Sequence, residues 1–529
     1  MKPSYLVRAL LAGSAIVISS TAWAQEATPP ADTSAEAQPD PSDATADRAI
    51  QGAQALDDAQ AKIELLQAQV EALQESIAQI QAAQAKVTPS WKGSPQLEDK
   101  EAGWSFKPKG LLQYDAGYVG YPNGDELRNS AQNTGLNYQN LGWNTRPRRL
   151  TIGAEGSIPG GFRYSAEFNF VQNSIDFEDV FLAYDFKDSP LTVQAGYFYP
   201  FSSLETMTSS KYTSFMERAG ITDAFSHNRR IGAALLANDK ATDKWLAQAG
   251  IFSEEMNNGD FNRTGWAFAA RGVFSPTLGT TRLHLGANFE HRVNKKEAMG
   301  KNYQARPTTQ LTDQRFISTG NLAAKGDDIL GFEAAAIYKQ FHFAAEAQKL
   351  WVRDALSVAE IADINSDLGS NVIPTGSALN GNPSFFGGYA ELGYYLTGET
   401  RSYKGGSFGR VKVLKPFNQG GWGALQLNAR IDYLDLSDRV ADSATFTAPN
   451  YVNGGKQIAY QASLVWNPTD YVRFMAQYAH LNVTGGPRQT VSTLGPPPLI
   501  GLFPIGTTEP INEREFDSDV FAMRAQIDF

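Results

Sequence analysis

Seven basic residues stand where their side chains can hold an anion: Arg146, Arg148 and Arg149 crowd one short stretch, and Lys211, Arg218, Arg229 and Arg230 fall in or beside the polar segment 202–228. Lysine and arginine gathered at a constriction suit the passage of anions and phosphate. Lys211 is flanked by Ser209, Ser210 and Tyr212, whose hydroxyls can hydrogen-bond an oxyanion. Its ammonium is a compact charge that holds phosphate without fixing its orientation. Permeation also needs exit, so such a site must bind weakly. Other chemistry finds no frame. The five histidines (His227, His284, His291, His342 and His480) show no HExxH or HxH spacing, and there is no GxSxG, P-loop or dinucleotide fingerprint. With no cysteine, thiolate nucleophiles and cysteine metal sites are excluded. Glu513, Glu515, Asp517 and Asp519 lack an EF-hand frame and read as a solvated loop face. No catalytic residue, metal or cofactor is expected.

The elements around the segment must position these cations. Leu191, Val193, Ala195, Tyr197 and Tyr199 are apolar at every second position, and residues 230–236 form a second short apolar segment. Residues 202–228 between them are too long for a hairpin turn. They are too polar to make their own core, yet they carry Met207, Tyr212, Phe215, Met216 and Phe225. A long loop with buried-type residues must fold against something. The expectation is that it folds into the lumen of a transmembrane β-barrel and narrows it.

The rest of the chain reads as that barrel. From Trp104 the hydrophobic period is two. Phe106, Leu112, Tyr114, Ala116 and Tyr118 share one face, with Lys109, Gln113 and Asp115 on the other. Phe162 to Phe170 and Val180 to Phe186 repeat the pattern, joined by tight turns at 158–161 and 187–190. Long connections (120–145, 202–228, 294–328, 355–384, 437–456 and 486–516) alternate with short ones, except near 400–420. Long loops at one end and tight turns at the other mark an outer-membrane barrel. About 16 antiparallel strands are expected, an all-β fold. A soluble sandwich or propeller would not keep aromatic faces alternating with polar ones over strands this long. The 11% aromatic content and mean hydropathy of −0.34 suit strands that are apolar on one face only. A net charge of −10 argues against nucleic-acid binding.

Parity assigns faces to the wall. Arg149, Arg163, Arg271, Arg282, Arg430, Arg473 and Arg524 fall inside as pore-lining residues, with Asp115, Glu155, Glu167, Glu290, Glu391 and Asp432. The signs nearly balance, so selectivity must come from the narrowest point.

The N-terminus reads as a signal peptide over 1–24. Lys2 and Arg8 precede a short apolar core, and Ala22-Trp23-Ala24 is a small-x-small cleavage site. Residues 25–46 are an acidic linker expected to be disordered. A coiled coil follows over 47–88, with Leu56, Ala59, Ile63, Leu66, Val70, Leu73, Ile77 and Ile80 alternating spacings of three and four. Pro89 and Pro95 end it. Residues 89–103 are a linker and 104–529 the barrel.

At this level of detail the chain resembles the phosphate-selective porins of the O/P type, from about Phe106 to Phe529. Residues 145–153 (TRPRRLTIG) are similar to that family's arginine-rich second strand, and 208–218 (TSSKYTSFMER) to its constriction loop. Residues 390–412 with Gly421-Trp422-Gly423-Ala424 resemble a late hairpin, and Trp466-Asn467-Pro468 with Val472-Arg473-Phe474 the penultimate one. The last strand, ending on Phe529, resembles the C-terminal signal read by the barrel-assembly machinery. The resemblance implies a homotrimer of 16-stranded barrels in the bacterial outer membrane, surrounded by its lipid, with the coiled coil in the periplasm. It implies phosphate or related small inorganic anions as solutes and Lys211 as the central anion ligand. The family's paired arginines fall on Arg146 and its neighbour, here Pro147, with Arg148 and Arg149 following. In place of the family's loop ladder of arginines the chain has Arg306 and Arg315. A broader anion channel, or one for another phosphorylated or acidic solute, stays open.

Three functions compete. The first is a passive, anion-preferring porin. The second is a general or sugar-type solute porin, which an aromatic slide along the pore would favour. The third is a structural tether between outer membrane and cell wall.

Overall fold

The computed structural model describes residues 43–86, 88–91, 93–124, 141–171, 174–253, 255–256, 265–379, 381–438, 452–486 and 515–529. The expected signal peptide, most of the linker after it, and Glu513 lie outside them. The described chain divides into two compact units that part between Ala82 and Ala83.

The first unit is built on one long helix, α1 (Asp43–Lys86). It begins four residues before the expected boundary. It stops where Pro89 approaches, since the pyrrolidine ring cannot continue a helix. The seam side chains Leu56, Ile63, Leu66, Val70, Leu73 and Ile77 are each more than half exposed.

The second unit is a closed barrel of sixteen strands. They are β1 (Trp104–Val119), β2 (Gly142–Ile158), β3 (Phe162–Asn169), β4 (Asp176–Asp185), β5 (Leu191–Phe198), β6 (Arg230–Asn238), β7 (Trp245–Phe252) and β8 (Trp266–Phe274). The other half is β9 (Thr281–Val293), β10 (Ile317–Tyr338), β11 (Phe341–Ala355), β12 (Ser384–Tyr395), β13 (Ala424–Asp438), β14 (Val452–Thr469), β15 (Val472–Thr484) and β16 (Glu515–Asp528). Neighbours pair antiparallel throughout. β16 closes on β1 with Arg524 opposite Asp115 and Val520 opposite Val119. Closure leaves no strand edge unpaired in lipid.

Alternation decides the faces. On β9, Leu285 is 56% exposed while Asn288, three positions on, is 4% exposed and faces inward. Two segments differ from the sequence reading. The end of the expected coiled coil and the linker expected over 89–103 instead form a hairpin of Thr88–Trp91 and Pro95–Asp99, whose Leu97, Glu98 and Asp99 pair with Phe106, Ser105 and Trp104 of β1. Proline is tolerated there because this is an edge. Asp517 and Asp519, expected in a solvated loop, belong to β16, where Asp519 accepts hydrogen bonds from Tyr478 (2.7 Å) and pairs with His480 (2.8 Å).

The lumen is not open across its width. Residues 199–229, between β5 and β6, turn inward and form two short helices, α2 (Leu204–Met207) and α3 (Gly220–Phe225). Leu204, Met216, Ala219, Ile221 and Phe225 pack against inward apolar residues of β10–β16, including Leu434, Leu481 and Val520. Gly387 on β12 makes room for this, since a Cβ there would meet Ile221 at 2.3 Å. The segment before β10 also folds in, burying Tyr303, Leu311 and Phe316 in the same cluster. From the short-turn end the connection 396–423 enters beneath the loop and buries Phe408.

Candidate functional site: the passage beside the inward loop

The inward loop is held by its carbonyls. Arg473 donates to the carbonyls of Lys211 (2.7 Å) and Thr213, and Gln526 to that of Lys211 (3.1 Å). Gln113 reaches the carbonyl of Ser210 (3.3 Å) and Arg401 that of Tyr212. Ser463 and Asn428 take the carbonyl of Ser214 at 2.7 and 3.4 Å. A loop inside a barrel has few main-chain partners of its own, so its orphan acceptors are met by wall donors.

Ion pairs complete the clamp. Arg524 forks onto Asp115 with two 2.7 Å bonds and reaches Glu217 at 2.7 Å. Arg148 grips Glu217 from the other side at 2.8 and 3.0 Å. Deeper in, Arg430 bridges Glu205 (2.8 Å) of the loop and Glu391 (2.6 Å) of the wall. Two cations on one carboxylate hold Glu217 well below the ordinary glutamate range, against the penalty of its burial.

Among the described residues the lumen holds an eccentric passage of about 1230 Å³. It runs between the loop and the wall of β1–β7, from Gln310 and Arg315 at the long-loop end to Gln96, Tyr471 and Phe529 at the other. Of the cations expected at the constriction, Arg148, Arg149, Lys211, Arg218 and Arg229 border it, while Arg146 and Arg230 do not. Arg146 donates to the carbonyl of Gln310 (2.8 Å), and Arg230 lies 3.6 Å from Glu255.

Of the seven strand arginines expected to line the pore, Arg149 borders this passage and the other six do not. Arg430, Arg473 and Arg524 are consumed in fastening the loop. Arg271 is fully buried in a bidentate pair with Glu333 (2.7 and 2.9 Å). Arg282 donates to Ser275 (2.8 Å) and reaches Asp243. Arg163 pairs with Asp185 on β4. Each faces inward as parity requires, but the inward face of a filled barrel is mostly a packing surface.

Along the passage most carboxylates are already engaged, though Asp432 accepts only the N–H of Gly220 (2.7 Å). Glu155 and Glu167 pair with Lys109 (3.6 and 2.8 Å), Asp179 with Arg229 (2.7 Å), and Asp223 with Arg306 (3.2 Å). Lys211 is different. Its ammonium reaches only the carbonyl of Gly110, at 3.4 Å, and no carboxylate lies within ion-pair distance among the described residues. Arg149 donates to Gln113 (2.8 Å), a neutral amide. Arg218 binds the carbonyls of Glu205, Thr206 and Thr208, each at 3.1 Å. Burial pushes the Lys211 ammonium below the ordinary lysine value, against the attraction of Glu167 and Asp528.

The profile of the family described as "Phosphate-selective porin O and P" matches residues 126–492. The chain belongs to this family. An uncharacterized protein of Caulobacter vibrioides is 36% identical over 414 residues, covering 76% of this chain and 73% of that one. Porin O of Pseudomonas aeruginosa is 26% identical over 428 residues, covering 74% of this chain and 86% of its own. Among solved structures, an anion-selective porin from Comamonas acidovorans matches at 11% identity and a TM-score of 0.41, over 80% of this chain and all of that one. Membership of this porin family and the closed barrel make the protein a channel of the outer membrane.

In this O/P-family porin the arginine-rich strand carries a departure, and the structure gives its reason. Gln113 pairs with Arg149 but the next residue, Tyr114, pairs with Pro147. Arg148 is the extra residue of a β-bulge. The bulge reverses parity between Arg148 and Arg149, so Arg146, Arg148 and Arg149 all face inward. Pro147, which has no N–H to give the ladder, sits where the ladder breaks. A proline inside an alternating strand was the available signal.

Sequence reasoning missed other residues at this porin's passage. Lys107, and Lys109, which alternation had put on the inward face without marking it as a site residue, neutralise Glu155 and Glu167. Glu178 and Asp179 hold Arg229, whose guanidinium stacks 4.2 Å from the Tyr199 ring. Arg410 enters from the 396–423 connection and pairs with Asp528. No local pattern announces that a connection between strands re-enters the barrel.

Proposed function

We propose that the protein is a passive, anion-preferring diffusion channel for phosphate and related oxyanions, with Lys211 as the central ligand. The observation that carries this reading is the unmatched charge of Lys211 in a passage whose acidic side chains are largely paired. Arg149 and Arg218, bonded to neutral groups, offer further donors to an oxyanion. In a narrow passage one such charge outweighs paired charges farther along the wall, because screening weakens interactions beyond about 8–10 Å. A general or sugar-type porin is the second reading. The near balance of acidic and basic groups along the passage favours it. Zero-current potentials in a KCl gradient separate the two. For the first reading, Lys211→Glu lowers or reverses anion preference and abolishes block of chloride current by phosphate. A mutant with the wild-type potential and phosphate block would remove Lys211 from the role.

The same proposal assigns a cleaved signal to residues 1–24, recognition by the assembly machinery to the strand ending at Phe529, and a trimer with a periplasmic coiled coil. The apolar seam of α1, left uncovered in one chain, supports the last of these.

A further inference from the structure

The charges of the passage do not account for its apolar wall. Phe181 on β4, Leu236 on β6 and Met207 at the end of α2 border the same cavity and are half-buried. Their backs rest on a buried cluster of Phe198, Phe201 and Phe252, with Phe181 meeting Phe198 edge-on at 6.2 Å. Their fronts face the passage. A water-filled lumen is ordinarily polar at inward positions. Apolar surface kept wet costs about 25 cal/mol per Å², so a lining of this kind is worth keeping where a solute covers it.

The apolar strip and the cations are contiguous. Arg218 binds the carbonyls of Thr206 and Thr208, the two residues flanking Met207. The Tyr199 ring, one residue after Phe198, lies 5.5 Å from the Arg218 guanidinium and 4.2 Å from that of Arg229. A solute that places an anionic group beside Arg218 can lay a flat apolar body against Met207, with Phe181 and Leu236 on the same passage wall and Lys211 and Arg149 bordering the same passage.

We infer that the channel prefers amphiphilic organic anions, namely a phosphate or carboxylate carried on an aromatic body, over bare inorganic phosphate. This rests on the anion-channel reading and narrows its solute class. The head group supplies electrostatic attraction and the ring supplies desolvation. Neither has to be strong, which suits transit. The sugar alternative differs in needing no cation.

The test is block of chloride current through the purified full-length protein in planar bilayers, with inorganic phosphate, phenyl phosphate and maltose as probes. Phenyl phosphate should reach half-block at about one-tenth the phosphate concentration, a gain of about 1.4 kcal/mol. Phe181→Ser should bring that ratio towards one. Met207→Gln, a change in the loop and not in the barrel wall, should do the same and covers the case in which the strand variant fails to fold. Equal half-block concentrations in the wild-type channel overturn the inference, as does a ratio untouched in both variants. Block by maltose without block by phenyl phosphate overturns it in favour of a sugar. The zero-current potential of the wild-type channel separates the two levels: a cation-selective value sinks the anion-channel reading itself, whereas an anion-selective value with equal block sinks only the preference for aromatic bodies.

Discussion

The guanidinium of Arg473 donates to the main-chain carbonyl of Lys211 at 2.7 Å. A wall arginine thus fixes the backbone of the loop lysine while leaving its side chain to the passage. Through this pairing, two residues that look equivalent as candidate anion ligands have opposite duties. Arg473→Met should loosen the loop without removing the lysine. The expected readout is a noisier, larger single-channel conductance with anion preference retained. A conductance identical to wild type would show that the clamp does not depend on Arg473.

Arg524 satisfies Asp115 and Glu217 together, deep in the wall. Replacing it with Met leaves both carboxylates buried with one partner fewer. Breaking such a pair costs about 3–5 kcal/mol. Urea unfolding of the reconstituted barrel should show that loss. Arg163→Met, whose ion pair is about half exposed, should cost within about 1 kcal/mol.

Deletion of Pro147 removes the bulge. One of Arg148 and Arg149 must then turn towards lipid, at a cost of about 2–4 kcal/mol near mid-membrane. Pro147→Ala keeps the residue count and should cost less. Equal stability of the deletion and the wild type, by the same unfolding measurement, would refute the bulge.

Lys211 binds anions only as the ammonium, and burial lowers its pKa below 10.5. The protonated form is present below that pKa and is lost as pH rises through it. Anion preference should therefore decline with rising pH before the ordinary lysine range is reached. Lys211→Arg, which stays charged, should hold its zero-current potential over the same range. A wild-type potential independent of pH up to that range would contradict the assignment.

On β9 the outward Leu285 and inward Asn288 test the faces. Leu285→Arg should cost about 2–4 kcal/mol. Asn288→Ala loses a 3.1 Å bond to Glu333 and should cost about 1 kcal/mol. Similar losses in both would count against the alternation.

Much of the architecture is written locally. A strand that alternates Leu, Tyr and Phe with Gln, Asp and Arg can satisfy lipid and lumen only one way, so strand number, faces and the end bearing long loops follow from period and turn spacing. The inward loop was legible for a similar reason, because Phe215, Met216 and Phe225 have no place on a solvated loop. Lys211 stood out with it. The fate of the wall arginines was not legible. Parity says that Arg430, Arg473 and Arg524 point inward, but whether inward means water or a folded loop depends on contacts between residues more than two hundred positions apart in sequence for Arg473 and the loop. The bulge at Arg148 likewise needs the partner strand to reveal that two residues oppose one. The passage is decided at the same level. Its boundary is the seam between one long loop and the far wall, and which charges survive unpaired there is set by geometry that no single strand contains.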